Sequence, residues 1–179
     1  MKKEEKGKYL PEFVYGAIDG TVTTFAVVSG AFGASLNSIV ILILGFANLF
    51  ADGFSMAVSN YLATESEEDL HLMHKHKYMY HMFKKNPKKT ALATFISFVV
   101  VGFIPLISFV IAFFFPSLNH NKFFYSTILT CIAFIIIGSI KGAMVGKSKW
   151  KSALETFIIG SIAAIIAFLV GYLLRNIIA

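Results

Sequence analysis

The 179-residue sequence contains a single cysteine, no nucleotide-binding loop and no polar segment of domain length. The lone Cys131 excludes an intrachain disulfide bond, which needs two thiols. No Gly-x-x-x-x-Gly-Lys-Ser/Thr motif is present, so the chain has no P-loop for ATP. The residue sets of a hydrolase or a kinase are also missing, and no polar stretch could form a separate soluble domain. These absences give an enzymatic function no support.

Apolar residues make up 56% of the chain, far above the share that a soluble domain carries. The hydrocarbon core of a bilayer is about 30 Å thick and is crossed by a helix of about 20 apolar residues. Five segments of the sequence meet this requirement, at residues 13–33, 39–62, 90–115, 123–146 and 153–174. We therefore predict an all-α integral membrane protein with five transmembrane helices, forming one domain over residues 1–179 with a cytoplasmic loop at 63–89.

The net charge of +6 indicates membrane topology rather than nucleic-acid binding. Of the 16 lysine and arginine residues, all but Lys122 and Arg175 fall on one side of a five-helix arrangement. The positive-inside rule then predicts a cytoplasmic amino terminus and a carboxyl terminus that is outside or lumenal. Membrane lipid is an expected partner, with a small contribution from anionic headgroups near the lysines. Glu12 and Asp19 oppose a cleaved signal peptide, whose apolar core is uncharged.

Two aspartates lie inside predicted spans, Asp19 in the first and Asp52 in the second. An acidic residue near the bilayer centre costs about 2.5–3.5 kcal/mol, so such residues usually have a function. Asp52 shares one helical face with side chains that can donate oxygen or sulfur ligands, namely Asn48, Ser55, Met56 and Ser59. Thr23 lies one turn after Asp19. Carboxylate, amide, hydroxyl and thioether ligands together favour a divalent transition metal over a hydrated alkali ion.

A purely structural interpretation of the same stripe stays open. Met56 could fill the core, and Asn48 and the serines could bond neighbouring helices. The two aspartates are not explained in this way, because nothing in helix packing requires a carboxylate there.

A second cluster of candidate ligands follows the second span. If that helix continues beyond the membrane, Glu67, His71 and His74 fall at i, i+4 and i+7 on one face, with His81 a further two turns on. Carboxylate and imidazole at this spacing can chelate Fe²⁺, Mn²⁺ or Zn²⁺. The alternative is a solvated, charged helix end without a metal.

Small residues at four-residue spacing predict close helix packing. They are Gly16 and Gly20 in the first span and Gly138, Gly142 and Gly146 in the fourth. Gly16 and Gly20 could also let a partner backbone approach Asp19. Pro105 is predicted to kink the third span, and Asn37 or Ser38 to cap the second helix.

Two acidic motifs follow one another in the first two predicted spans. The first is Asp19-Gly-Thr-Val-Thr-Thr-Phe-Ala-Val-Val, and the second is Ala51-Asp-Gly-Phe-Ser-Met-Ala-Val-Ser-Asn-Tyr-Leu-Ala-Thr-Glu-Ser-Glu67. In this order, and together with five spans, they resemble the vacuolar iron transporter family. The resemblance is motif-specific over residues 13–67 and covers the whole architecture.

The resemblance implies a homodimer of five-helix subunits that exports Fe²⁺, and often Mn²⁺, from the cytosol in exchange for protons, with no tightly bound cofactor. It implies that Asp19 and Met56 are intramembrane ligands near the subunit interface. Asp52 and Glu65 or Glu67 would line the cytosolic approach. The candidate metal-binding residues are therefore Asp19, Met56, Asp52, Glu65, Glu67, Glu68, His71 and His74.

One feature departs from the family pattern. Members of the plant and parasite type insert a long helical metal-binding domain between the second and third spans, whereas here only residues 63–89 separate them. The chain is thus expected to be a short form without that domain. Two other functions stay open, a passive cation channel and a non-transporting metal sensor that uses the loop histidines. Short loops and the lack of a targeting extension are typical of a prokaryotic cell membrane.

Overall fold

The computed structural model describes residues 7–73 and 84–178. Six α-helices and one short 3₁₀ turn lie wholly within these ranges, which contain no strand, so the prediction of an all-α protein is confirmed. The elements are α1 (Leu10–Gly33), α2 (Ser38–Met73), α3 (Pro87–Gly102), α4 (Ile104–Phe114), the 3₁₀ turn (Pro116–Leu118), α5 (Lys122–Met144) and α6 (Lys149–Ile178).

Among the described residues, α1, α2, α5 and α6 are each long and apolar enough to cross a membrane. The pair α3 and α4 is the fifth span if it is counted as one, and it bends by 47° at Phe103. Pro105, near the start of α4, has no N–H to bond the preceding turn and its ring clashes with that turn, so the predicted kink is confirmed. The chain is therefore a multi-pass membrane protein.

Helix α1 is the centre of the bundle, since it contacts each of the other five helices. Half of its apolar stretch is buried within the chain, against 11% for α6. Gly20 makes this central position possible, because a Cβ there would lie 2.5 Å from the carbonyl oxygen of Phe98 in α3. The backbone that approaches beside Gly16 and Gly20 is that of α3 in the same chain.

Glycines allow α5 and α6 to pack closely, but only two of the three glycines predicted to form this packing ridge take part. Gly138 and Gly142 pack against the first turns of α6, around Ser152 and Lys149. Gly146 does not belong to the ridge, because α5 ends at Met144 and Gly146 has a φ of +64° with nothing beside it. Its left-handed backbone belongs to the turn that leads to α6.

The two ends of the bundle differ in how their charges are paired. Three ion pairs in the described ranges lie at the end where α1 begins, which we call the lysine-rich end; they are Lys85–Glu12, Lys84–Glu68 and Lys141–Glu155. At the opposite end, where α1 ends and α2 begins, Lys122 bonds Ser38 and Asn119, and Arg175 bonds Ser35. The distribution of lysines predicted from the sequence is thus reproduced as two chemically different ends.

Helix α2 has one apolar side that the described part of the chain does not cover. Large side chains spaced along this side are exposed, and we call it the exposed face of α2; its residues are Ile43, Phe50, Phe54, Val58 and Leu62. Ser55 lies beside this face and is also exposed. Side chains of this kind are stable against lipid or against another protein surface.

Candidate metal site

The α1–α2 hairpin brings Asp19 and Asp52 to the same depth in the bundle. Asp19 lies 14 residues before the end of α1 at Gly33, and Asp52 lies 14 residues after the start of α2 at Ser38. At 1.5 Å per residue, both are about 21 Å from the turn that joins the helices. Both side chains are half-buried.

The turn that joins α1 and α2 sets this register. Ser35 takes a left-handed conformation with φ of 55°, which reverses the chain within residues 34–37. The Asn37 side chain then accepts a hydrogen bond from the N–H of Val40 at 3.0 Å, so Asn37 is the predicted cap of α2. A short turn and a fixed first helical residue leave little freedom in how the two helices align.

A polar contact joins the two helices beside Asp19. The Asn48 side chain donates a hydrogen bond to Thr23 Oγ1 at 3.3 Å, and Thr23 Oγ1 donates to the backbone carbonyl of Asp19 at 2.9 Å. Asn48 therefore does bond a neighbouring helix, as the structural interpretation expected. The bond also holds the polar stripe of α2 against the stripe of α1 that carries Asp19.

Met56 lies one turn after Asp52 and is half-buried. Its side chain packs against an apolar cluster that includes Leu49 and Phe98. The thioether therefore stands at the boundary between the polar stripe and the core, where a soft ligand and a packing side chain are both physically reasonable.

Within residues 7–73 and 84–178 of one chain, no group of three His, Cys, Asp or Glu side chains is arranged to hold a metal. Asp19 and Asp52 supply two carboxylates. A transition metal in a protein generally takes four to six ligands. Further ligands must come from amide, hydroxyl or thioether groups, from water, or from another copy of the chain.

The acidic run at the end of α2 lies apart from the two aspartates. The helix continues to Met73, as the sequence predicted, with Glu65 and Glu67 exposed and Glu68 paired with Lys84. Glu65 stands 13 residues after Asp52, about 20 Å along the helix axis, so these groups cannot bind the same ion. His71 belongs to the last turn of α2, while His74 and His81 lie outside the described residues.

A buried carboxylate that the sequence analysis did not place in the site is Glu12. Its Oε1 accepts a hydrogen bond from Lys85 Nζ at 2.5 Å, while its Oε2 is buried without a partner among the described residues. Spacing could have revealed it, because Glu12, Gly16, Asp19 and Thr23 fall on one stripe of α1. The structure thus has a second acidic group two turns from Asp19, toward the lysine-rich end.

Polar contacts between α2 and α3 were not predicted from the sequence. Asn60 donates a hydrogen bond to Thr94 Oγ1 at 2.6 Å, and the hydroxyls of Thr64 and Thr90 are 3.1 Å apart. Thr90 and Thr94 are fully buried. Their spacing of four residues, one helical turn, is the sequence feature from which a polar contact with another helix could have been predicted. These bonds hold the part of α2 beyond Met56 against α3.

Comparison with known proteins gives consistent matches over most of the chain. A model of the VIT family matches residues 10–83 and 69–172. The vacuolar iron transporter of Plasmodium berghei (strain Anka) is 26% identical over 226 aligned positions, covering 94% of this chain and 83% of that protein. Vacuolar iron transporter 1 of Arabidopsis thaliana is 24% identical over 225 positions, with coverage of 95% and 88%. The vacuolar iron transporter of Centaurea cyanus is 27% identical over 215 positions, with coverage of 90% and 86%.

The alignments are longer than the chain itself. They extend over 215 to 226 positions, whereas the chain has 179 residues. The relatives therefore contain insertions that this chain lacks. The two parts matched by the family model overlap at residues 69–83, which include the end of α2 and part of the sequence before α3.

Proposed function

The chain belongs to the VIT family. We propose that it is a membrane transporter that moves Fe²⁺ out of the cytosol in exchange for protons, with Mn²⁺ as a second substrate. The relatives named vacuolar iron transporters support iron as cargo rather than as a resident cofactor. The observation that carries the proposal is the pairing of Asp19 and Asp52 at one depth of the α1–α2 hairpin.

We propose that the transport site is shared between two copies of the chain. Within the described part of one chain no three-ligand group is present, so a second copy that duplicates Asp19, Asp52 and Met56 would supply the missing ligands. Ser55 supports this arrangement, because it is a polar side chain exposed on the side of α2 next to Asp52, and serines are enriched where membrane helices pack against each other. Asp19, Asp52 and Met56 of the two copies are the proposed ligands.

We propose that the two carboxylates, which lie at one depth of the hairpin, repel each other and that this repulsion couples metal movement to protons. In the absence of metal, the repulsion is relieved when a proton binds. When a dication arrives between the carboxylates, it replaces the proton, which leaves toward the side from which the metal came. Each transport cycle then exchanges metal for protons without ATP.

The acidic run on α2 is proposed to capture metal at the cytosolic side. It consists of Glu65, Glu67, Glu68 and His71, and the proposal adds His74, which follows them in the sequence and lies outside the described residues. The long domain of the plant and parasite proteins would begin at this point of the sequence. Glu65 and Glu67 are exposed and available, whereas Glu68 must first leave Lys84. Weak, exposed ligands suit capture, since the ion must move on to the intramembrane site. We place the protein in a prokaryotic cell membrane, with its lysine-rich end in the cytosol.

The test is metal and proton flux in proteoliposomes that contain a dye quenched by Fe²⁺ and a pH-sensitive dye. Wild type is expected to move Fe²⁺ with opposing proton flow. Asp19→Asn, which keeps the shape but removes the charge, is expected to lower the initial Fe²⁺ flux at least about tenfold, because a carboxylate ligand is lost. Glu155→Gln is the matched control, since it removes an exposed carboxylate far from the site.

The competing functions give different results in the same experiment. Metal flux that does not respond to the proton gradient would indicate a passive channel. A folded wild-type protein that moves no metal would indicate a sensor, and His71→Ala would then be the next variant. Equal flux in wild type and Asp19→Asn would contradict the proposed site.

A further inference from the structure

A cavity of about 570 Å³ lies at the end of the bundle opposite the lysine-rich end. Its wall is formed by the α1–α2 turn, the start of α5 and the last turns of α6. Lys122 and Arg175 both line it, and we call it the Lys122–Arg175 pocket. These are the two cations that the predicted topology places on the opposite side from the other fourteen, and both line one cavity in the folded chain.

The sequence provides no carboxylate side chain for these two cations. No aspartate or glutamate occurs between Asp19 and Asp52, between Asp69 and Glu155, or after Glu155. The bonds that the described residues make are to neutral oxygens: Lys122 Nζ donates to Asn119 Oδ1 at 2.6 Å and to Ser38 Oγ, and Arg175 donates to Ser35 Oγ. At the lysine-rich end, by contrast, lysines pair with glutamates. Within residues 7–73 and 84–178, the pocket therefore holds two positive charges whose hydrogen-bond partners are neutral oxygens and not carboxylates.

Donor groups remain available in the pocket after these bonds are made. An ammonium group has three N–H donors and a guanidinium has five. The contacts within the described ranges use two donors of Lys122 and one of Arg175. Ser35 and Ser38 accept from the cations through oxygen, so their hydroxyl hydrogens are also free to point toward a ligand.

Two helices begin at the same pocket and add to its positive field. Helices α2 and α5 start at Ser38 and Lys122, and neither has an acidic residue in its first turn. The first N–H groups of a helix have no partner within the helix and carry partial positive charge. In α2 the Asn37 cap satisfies the N–H of Val40 and leaves those of the preceding residues outside the helical ladder.

We propose that the Lys122–Arg175 pocket binds a phosphate group, carried by a lipid headgroup or present as free inorganic phosphate. A phosphate offers several acceptor oxygens to the two cations and two hydroxyls, and a guanidinium can bind it through two parallel bonds. Phe168 and Tyr172 form an apolar and aromatic wall beside the cations, as is common where helix ends meet the headgroup region. No candidate metal-binding residue lines the pocket, so this proposal does not depend on transport activity.

The experiment measures thermal unfolding of the full chain in nanodiscs made of phosphatidylcholine. Inorganic phosphate is titrated in one series, and phosphatidylglycerol replaces part of the lipid in the other. Wild type is compared with Lys122→Gln/Arg175→Gln, and with Lys149→Gln/Lys151→Gln, which removes two exposed lysines from the lysine-rich end. We expect the probe to raise the unfolding midpoint of wild type and the control, and to act with at least about tenfold lower apparent affinity on Lys122→Gln/Arg175→Gln.

The two titrations distinguish the sources of phosphate. Stabilisation by both probes identifies a site for the phosphate group itself, and stabilisation by phosphatidylglycerol alone identifies a lipid headgroup site. Equal stabilisation of wild type and Lys122→Gln/Arg175→Gln, or no stabilisation by either probe, overturns the proposal. If the double variant does not fold, Arg175→Lys keeps the charge but loses the planar fork, and it is expected to weaken binding several-fold; unchanged binding would also overturn it.

Discussion

Glu12 and Lys85 form the most buried of the three ion pairs in the described part of the chain. The Glu12 side chain is 10% exposed and Lys85 is 33% exposed. Lys85 comes from the residues just before α3, 73 positions along the chain. The N–H of Asn86 also bonds the Tyr9 hydroxyl at 3.2 Å, so two contacts hold the start of α1 to the start of α3.

Lys85→Met is expected to destabilise the protein, because it leaves the Glu12 carboxylate buried without its cation. The expected loss is about 1–3 kcal/mol in the free energy of unfolding, below the cost for a fully buried pair because Lys85 is partly solvated. Denaturant unfolding in detergent would measure it.

Lys141→Met is the matched control, since it breaks the Lys141–Glu155 pair, whose glutamate is 58% exposed. Its effect is expected to stay below about 1 kcal/mol. Adding Glu12→Gln to Lys85→Met should recover part of the loss. Equal effects of the two lysine substitutions would show that burial of Glu12 is energetically unimportant.

Individual site residues were predictable from the sequence where the signal is local. A carboxylate inside an apolar span is costly wherever the helix packs, so Asp19 and Asp52 could be singled out without a structure. The Glu12–Lys85 pair depends on which helices are neighbours, and helical periodicity does not contain that information. The roles of Met56 and the acidic run as ligands remain predictions.

At the scale of elements, close packing of α1 and α3 depends on Gly20. A Cβ at this position would meet backbone atoms of Phe98, which cannot move away without separating the helices. Gly20→Ala is therefore expected to cost about 1–3 kcal/mol in the free energy of unfolding, despite the higher helix propensity of alanine.

Gly53→Ala provides a control with the same neighbour. Its Cβ would lie 3.1 Å from the Phe98 ring, a side-chain contact that can relax by a few tenths of an ångström. The same unfolding measurement should find Gly53→Ala clearly less destabilising than Gly20→Ala. The opposite order would mean that the α1–α3 contact is looser than the structure indicates.

The positions of the elements were largely predictable, because length and hydropathy decide which segments can cross a membrane. Four of the five predicted spans correspond to helices that are long and apolar enough to cross a membrane, and the third corresponds to the bent pair α3 and α4 if it is counted as one span. The kink at Pro105 follows from its missing N–H. Gly146 was assigned wrongly to the α5 ridge, since a four-residue repeat in sequence does not show where a helix ends. Its φ of +64° belongs to the turn.

For the molecule as a whole, the exposed face of α2 is relevant to the oligomeric state of the protein. If a second copy covers the side of α2 next to Asp52, Ser55→Cys in a Cys131→Ser background should form a disulfide-linked dimer in native membranes under mild oxidation. Ile159→Cys is the control, because Ile159 is exposed on a different helix, α6. Gel electrophoresis without reductant would separate the two cases. Cross-linking through Ile159→Cys alone would place the interface on α6 and contradict the shared site.

Properties of the whole molecule were the least predictable. The central position of α1 and the convergence of Lys122 with Arg175 both depend on the order in which helices pack. Net charge and its distribution predicted two different ends, but not that one end would gather its cations around a cavity.

Asp19 and Asp52 lie the same number of residues from the turn, and this restricts where residues can be inserted into the chain. One residue inserted between Asp19 and Gly33 would rotate Asp19 by about 100° about α1 and shift it by about 1.5 Å relative to Asp52. The separation of 33 positions between the aspartates should therefore align without gaps among transporters that keep this hairpin. Between α2 and α3 no such restriction applies, and that is where an additional domain can be gained or lost without disturbing the aspartates.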